Sequence, residues 1–124
     1  MHTAVAETLH VARVLISEPH PDSRALFELV VRRAGHEPVG LGELADRDPP
    51  ELMILEPVSG EGLAIAHQLR RRLEDLPIIC ASIKPAGPGL ESLRPAAYLV
   101  KPFRLADLES ALAAALSPAT VAAA

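Results

Sequence analysis

Apolar residues fall along this chain in two kinds of pattern. Four short runs are almost continuously apolar: "ARVLIS" (12–17), "LMILE" (52–56), "PIICAS" (77–82) and "AYLVK" (97–101). A weaker fifth candidate is "EPVGLG" (37–42). Runs of this length without polar alternation predict strands covered on both faces, as in a parallel sheet. Between them the spacing becomes helical. "PDSRALFELVVRRAG" puts Leu26, Leu29, Val30 and Ala34 on one stripe, with Pro21 suited to the first turn and Gly35 to the stop. "EGLAIAHQLRRRLED" offers Ile65, Leu69 and Leu73, and "RLADLESALAAALS" offers Leu105, Leu108, Leu112 and Leu116. Two connections are poor helix formers. "GELADRDPP" ends in a Pro pair, and "IKPAGPGLESLRP" leaves room for at most two turns around "GLESL".

Strand and helix therefore alternate five times, the connections "GELADRDPP" and "IKPAGPGLESLRP" being irregular. Right-handed crossovers turn this order into a flavodoxin-like, doubly wound α/β fold: a five-stranded parallel sheet with helices on both faces, (βα)5. The domain spans 12–117, after an N-terminal extension of residues 1–11 and before a frayed tail, 118–124. Ligand crevices in such sheets lie beyond the carboxyl ends of the strands. Those ends carry Ser17-Glu18, Glu56, Ser82 and Lys101. A carboxylate at a strand tip needs a positive partner, and Lys101 is the obvious one. Ser82 can donate a further hydrogen bond there.

Composition narrows the classes. The 124 residues suit one domain, and at 49% hydrophobic but 2% aromatic the core must be aliphatic. A net charge of −4 argues against a nucleic-acid footprint. The single cysteine, Cys80, makes neither an internal disulfide nor a zinc set, and reads as a small buried hydrophobe. No signal-peptide pattern and no apolar run of membrane-spanning length is present, so a cytoplasmic location is the default. No nucleophile–base–orienter set is evident, so the chain is not expected to be an enzyme. The turn "SEPHPDSR" has no glycine, which disfavours a dinucleotide site.

Four pieces in order resemble the receiver domains of two-component response regulators, over roughly residues 12–117. "VLISEPHPDSR" is similar to the receiver opening, where a strand runs into an acidic pair. "PELMILE" is similar to the strand ending in the phosphoacceptor aspartate, and "LPIICAS" to the strand ending in Ser or Thr. "AYLVKPF" is the most specific: an aromatic switch residue, here Tyr98, then Lys101 and Pro102. The resemblance implies a cis bond before Pro102 and signalling partners, a histidine kinase or a downstream effector. In the family such partners often use the face of the fourth helix, fifth strand and fifth helix. A homodimer through the Leu–Ala-rich last helix is a further allowed arrangement.

The chain departs from that pattern at the reacting positions. Glu56 stands where the family has Asp, and the acidic pair reads Glu18-Pro19. The loop after Glu56 reaches Gly62 early, and the fourth-helix region is short. Phosphotransfer to a carboxylate requires a divalent ion on the phosphoryl oxygens. Pro19 supplies neither carboxylate nor N–H. Glu56 reaches about 1.5 Å further than Asp, a misplacement that costs on the order of a hundredfold in rate. The expectation is a stand-alone, degenerate receiver without ordinary aspartyl phosphorylation, in which Glu56 pairs with Lys101, with Ser82 as a further donor, and imitates part of a phosphoryl charge. No cofactor is expected, and any magnesium would be held weakly by Glu18 and Glu56. The alternatives are a phosphorylatable response regulator and a doubly wound domain that binds a small molecule in the same crevice. Weaker candidates have plainer readings: His20 with Glu18 and Glu56 as metal ligands, His67 as helix surface, and Arg70, Arg71 and Arg72 as a solvated face.

Overall fold

The computed structural model describes residues 10–44 and 48–117. Its strands are β1 (Arg13–Ser17), β2 (Glu37–Gly40), β3 (Leu52–Leu55), β4 (Ile78–Ser82) and β5 (Ala97–Val100). They pair in parallel, in the order β2-β1-β3-β4-β5. The three central strands are the continuously apolar runs, and nearly every residue in them is buried. Strands β2 and β5 lie at the edges and are only partly covered, which explains why "EPVGLG" was the weakest pattern. Residues 1–9 and the tail 118–124 lie outside the described residues. No helix among those described is long and apolar enough to cross a membrane.

Two connections are helical, α1 (Pro21–Arg33) and α2 (Gly60–Arg72), and a third helix, α3 (Leu105–Ala115), follows β5. Among the described residues the other two connections carry only 3-10 turns, at Leu41–Glu43 and Glu91–Leu93. The (βα)5 order is thus kept in the strands, while two of the five helices shrink to single turns. The prolines and glycines of those segments account for this, since each costs helix stability. One face of the sheet is covered by α1 and α3, through Phe27, Val30, Leu108 and Leu112. The other is covered by α2 and both 3-10 turns, through Ala66, Leu69, Leu93 and the half-buried Leu41 and Tyr98.

Two sequence expectations need correction. The buried stripe of α1 is Phe27, Val30 and Val31, whereas Leu26 and Leu29 are exposed and Ala34 lies outside the core. The helix is rotated because Phe27, the larger apolar side chain, takes the core position and stacks on Phe103 at 6.3 Å between ring centroids. Gly35 ends the helix as expected, at φ +88°. The second correction is Arg70, which is buried rather than part of a solvated run. Its Nε donates to the Leu93 carbonyl at 2.9 Å and its Nη1 to the carbonyls of Leu73 and Glu74 at 3.3 and 2.6 Å. One guanidinium thereby caps α2 and holds the 3-10 turn that replaces a helix. Burial, then the neighbouring Arg94, pulls its pKa below the ordinary value.

At the amino ends of the strands, the Nδ1 of His36 accepts from the Ala12 N–H at 3.0 Å, which requires an unprotonated Nδ1. Burial first, and His10 second, lower its pKa from the ordinary 6.5, against an opposing pull from Glu51.

Two predictions follow from these contacts. Arg70→Ala leaves the Leu93 carbonyl without its donor and should cost about 2 kcal/mol in urea unfolding at neutral pH. Because the folded state binds the His36 proton less readily than the unfolded chain, stability should fall as pH drops below 6.5. Thermal melts of His36→Asn, whose side-chain oxygen can still accept from Ala12, should show a shallower acid slope than the wild type.

Candidate functional site

Ladder hydrogen bonds carry the backbone one residue past β3 and β5. The Glu56 N–H donates to the Ser17 carbonyl at 2.9 Å, and the Lys101 N–H to the Ser82 carbonyl at 2.7 Å. This fixes the start of each functional side chain at the carboxyl edge of the sheet. Glu18 and Glu56 are buried there, 5% and 6% exposed.

The Lys101 ammonium lies between them, donating to Glu18 Oε1 at 2.6 Å and to Glu56 Oε1 at 3.3 Å. The expected Glu56–Lys101 pair is therefore present, but the tighter contact is with Glu18. The outer oxygens are also engaged. Glu18 Oε2 accepts from the His20 N–H at 3.1 Å, and Glu56 Oε2 from the Val58 N–H at 3.2 Å. Each of the four carboxylate oxygens thus has one donor. Among the described residues, no buried side-chain nitrogen or oxygen lacks a partner.

The Lys101 ammonium also faces an aromatic ring. Its Nζ lies 5.8 Å from the centroid of Phe27, within cation–π range. The chain's two phenylalanines, Phe27 of α1 and Phe103 just before α3, stack with an interplanar angle of 11°. The Lys101–Pro102 peptide is cis, the geometry the resemblance implies.

Ser82 does not join the ion pairs. Fully buried at the end of β4, its hydroxyl accepts from the Lys84 N–H at 3.2 Å. This corrects the expectation of a Ser82 donor to Glu56: a hydroxyl two residues upstream of a turning backbone competes well for the local N–H. Tyr98 holds the other end of the same residue, its hydroxyl donating to the Lys84 carbonyl at 2.8 Å. His20 is not a metal ligand either. It is the N-cap of α1, its Nδ1 accepting from the Ser23 N–H at 3.5 Å.

The donor set does not fit a magnesium ion. Pro19 brings no oxygen from its side chain, and an ammonium already occupies the space between the two carboxylates. Among the described residues, no three His, Cys, Asp or Glu side chains converge as metal ligands. Nor does Cys80 offer a nucleophile beneath the site. Burial, then the nearby charge of Glu56, pushes its thiol up to about 11, so it stays protonated at neutral pH.

Two contacts of Arg24 and Gly62 emerge only in the fold. Arg24 reaches back from α1, its Nη1 donating to the Glu18 carbonyl at 3.2 Å. Gly62, in the first turn of α2, presses against Ser17: a Cβ at Gly62 would lie 2.0 Å from the Ser17 hydroxyl oxygen. Ser17 and Gly62 are remote in sequence, so periodicity does not report their contact.

No family model matches the chain, and no curated protein matches it. Solved structures do. A sensor protein from Polaromonas sp. JS666 is 26% identical, with a TM-score of 0.69, over 84% of this chain and 94% of that one. The response regulator TrrA from Thermotoga maritima, solved in complex with Mg2+-BeF, is 23% identical with a TM-score of 0.71, over 86% of this chain and 100% of that one. A two-component response regulator from Clostridium difficile is 17% identical with a TM-score of 0.71, over 87% and 98%. The chain has the flavodoxin-like fold of response-regulator receiver domains.

Proposed function

We propose that this chain is an atypical receiver domain of two-component signalling, which acts through protein–protein contact and does not take a phosphoryl group at its strand-tip acid in the ordinary way. One observation carries the reading: Lys101 bridges Glu18 and Glu56, at 2.6 and 3.3 Å, so the chain's own ammonium already pairs both acids. The oxygens of Glu56 are held by Lys101 and by the Val58 N–H, so neither is presented free for attack. Glu56 acts as a fixed charge, imitating part of what a phosphoryl group would bring to the pocket.

The partners are signalling proteins, a histidine kinase or a downstream effector. The surface that would meet them includes Tyr98 and α3. Tyr98 is linked to the end of β4 through one residue, since Ser82 accepts from the Lys84 N–H while Tyr98 donates to the Lys84 carbonyl.

Incubation with acetyl phosphate and magnesium, followed by intact mass measurement, should leave the protein unmodified. A stoichiometric phosphoryl adduct would overturn the reading and favour a working phosphoacceptor. Lys101→Met should leave two buried carboxylates without their cation and cost about 3 kcal/mol in urea unfolding at neutral pH. A loss below about 1 kcal/mol, the range of exposed pairs, would mean that the bridge does not hold the pocket together.

A further inference from the structure

The sheet ends in two edge strands, β2 and β5, and they are finished differently. In β2 the Glu37 N–H donates to the Ala12 carbonyl at 2.9 Å. Glu37 and Val39 therefore face β1, while Pro38 and Gly40 face outward. Proline has no N–H to offer, and the Gly40 N–H donates to Glu43 Oε1 at 2.9 Å. Both outward donors of that edge are thus missing or used, which protects a sheet against further pairing.

The other edge has no such protection. The Lys101 N–H donates to the Ser82 carbonyl at 2.7 Å, and the register sets Cys80 beside Tyr98 and Ser82 beside Val100. Ala97, Leu99 and Lys101 therefore face β4, and the N–H and carbonyl groups of Tyr98 and Val100 point away from the sheet. Ala96, just before the strand, also donates to β4, at the Ile78 carbonyl, so the regular alternation begins at Ala97. Among the described residues, the outward groups of Tyr98 and Val100 have no partner. Val100 is 45% exposed, and the strand Ala97–Val100 contains neither proline nor a charged residue. Beside it, where the Glu91–Leu93 turn replaces a helix, lies a groove of about 580 Å3 lined by Pro88, Leu90, Pro95 and Tyr98. An added strand would send every second side chain toward the sheet face that carries this groove.

We propose that β5 takes an extended segment of a partner protein as a sixth strand, apolar at alternate positions and acidic at its flanks. The backbone of Tyr98 and Val100 supplies the hydrogen bonds, and the groove receives the alternate side chains, the division of labour in strand addition. The sign of the flanks follows from the charges around the edge. The ammonium of Lys84, whose carbonyl accepts from Tyr98, and the guanidinium of Arg104, beyond the end of the strand, have no ion-pair partner among the described residues. Glu91, which lines the groove, already accepts from the Gly89 N–H at 2.8 Å. A second copy of this chain fits less well: its β5 laid antiparallel would bring Arg94 of one copy toward Arg104 of the other, a like-charge approach. In naming a partner for the Tyr98 surface the inference rests on the signalling reading, but the two fail separately. A phosphoryl adduct at Glu56 would leave the open edge standing, and a silent edge would leave the ion bridge closed.

The test is a titration of the 15N-labelled full chain with the peptide acetyl-Glu-Glu-Val-Thr-Val-Thr-Val-Glu-Glu-amide, followed by amide shifts and hydrogen exchange. In the free chain the Tyr98 and Val100 amides should exchange faster than that of Leu99. The peptide should shift both saturably and slow their exchange. Val100→Pro gives β5 the protection that Pro38 gives β2, and should weaken binding about tenfold with the spectrum of the folded protein kept. The same peptide N-methylated at each Val and Thr tests the backbone bonds without altering the protein, and should also bind about tenfold more weakly. Lysine in place of each Glu should weaken binding about threefold. Tyr98 and Val100 amides already protected in the free chain, protection that grows with protein concentration instead of with peptide, or binding that neither N-methylation nor lysine flanks weaken would each overturn the proposal.

Discussion

One ammonium serving two buried carboxylates is the constraint around which this carboxyl edge is built. Glu18 follows β1, Glu56 follows β3 and Lys101 follows the edge strand β5, so the bridge spans three strands with β4 between. Burying these charges is unfavourable unless each is paired and hydrogen-bonded. The local backbone completes the pairing through His20 and Val58, each two residues downstream of the acid it serves. The ammonium lies over Phe27, which stacks on Phe103, so α1 and the entry to α3 meet the same charge.

Pro19 and Glu56 fit together in that balance. With an acid at position 19 as well, three carboxylates would face one lysine. A divalent ion could offset that excess, whereas a single ammonium could not. Pro19 removes one negative charge, and the longer arm of Glu56 carries the remaining charge to within 3.3 Å of the nitrogen. A monovalent cation supplied by the chain itself is then sufficient. The pocket thus contains its own cation.

Much of this was legible in the sequence, for a definite reason. Strands covered on both faces leave continuous apolar runs, and such sheets put their chemistry at the carboxyl ends, so Glu18, Glu56, Ser82 and Lys101 could be assembled without coordinates. The errors came where a residue type has two physical uses. Leu26 and Leu29 read as core, but an aromatic residue between them took the buried position. Arg70 read as solvated because arginine usually is, although a guanidinium can be buried when carbonyls at a helix end and a turn accept its donors. Ser82 read as a pocket donor, but its own turn offered a nearer bond. The Ser17–Gly62 contact had no linear pattern at all, because it is a steric fit between segments brought together only by the fold.

The two faces of the sheet are covered unequally. Two full helices, α1 and α3, close one face. The other has one full helix, α2, flanked by the Leu41–Glu43 and Glu91–Leu93 turns. A 3-10 turn is too short to cover what a helix would, so a cleft opens beside each: one lined by Ser17 and Leu41, the other by Leu90 and Tyr98. Such gaps need local stitching to survive, and it is visible. Arg70 binds the second turn to α2, while Glu43 closes the first on Gly40. The shortened crossovers are therefore stabilised connections rather than frayed ones. What they remove in cover they return as accessible cleft, on either side of a charge bridge that stays closed.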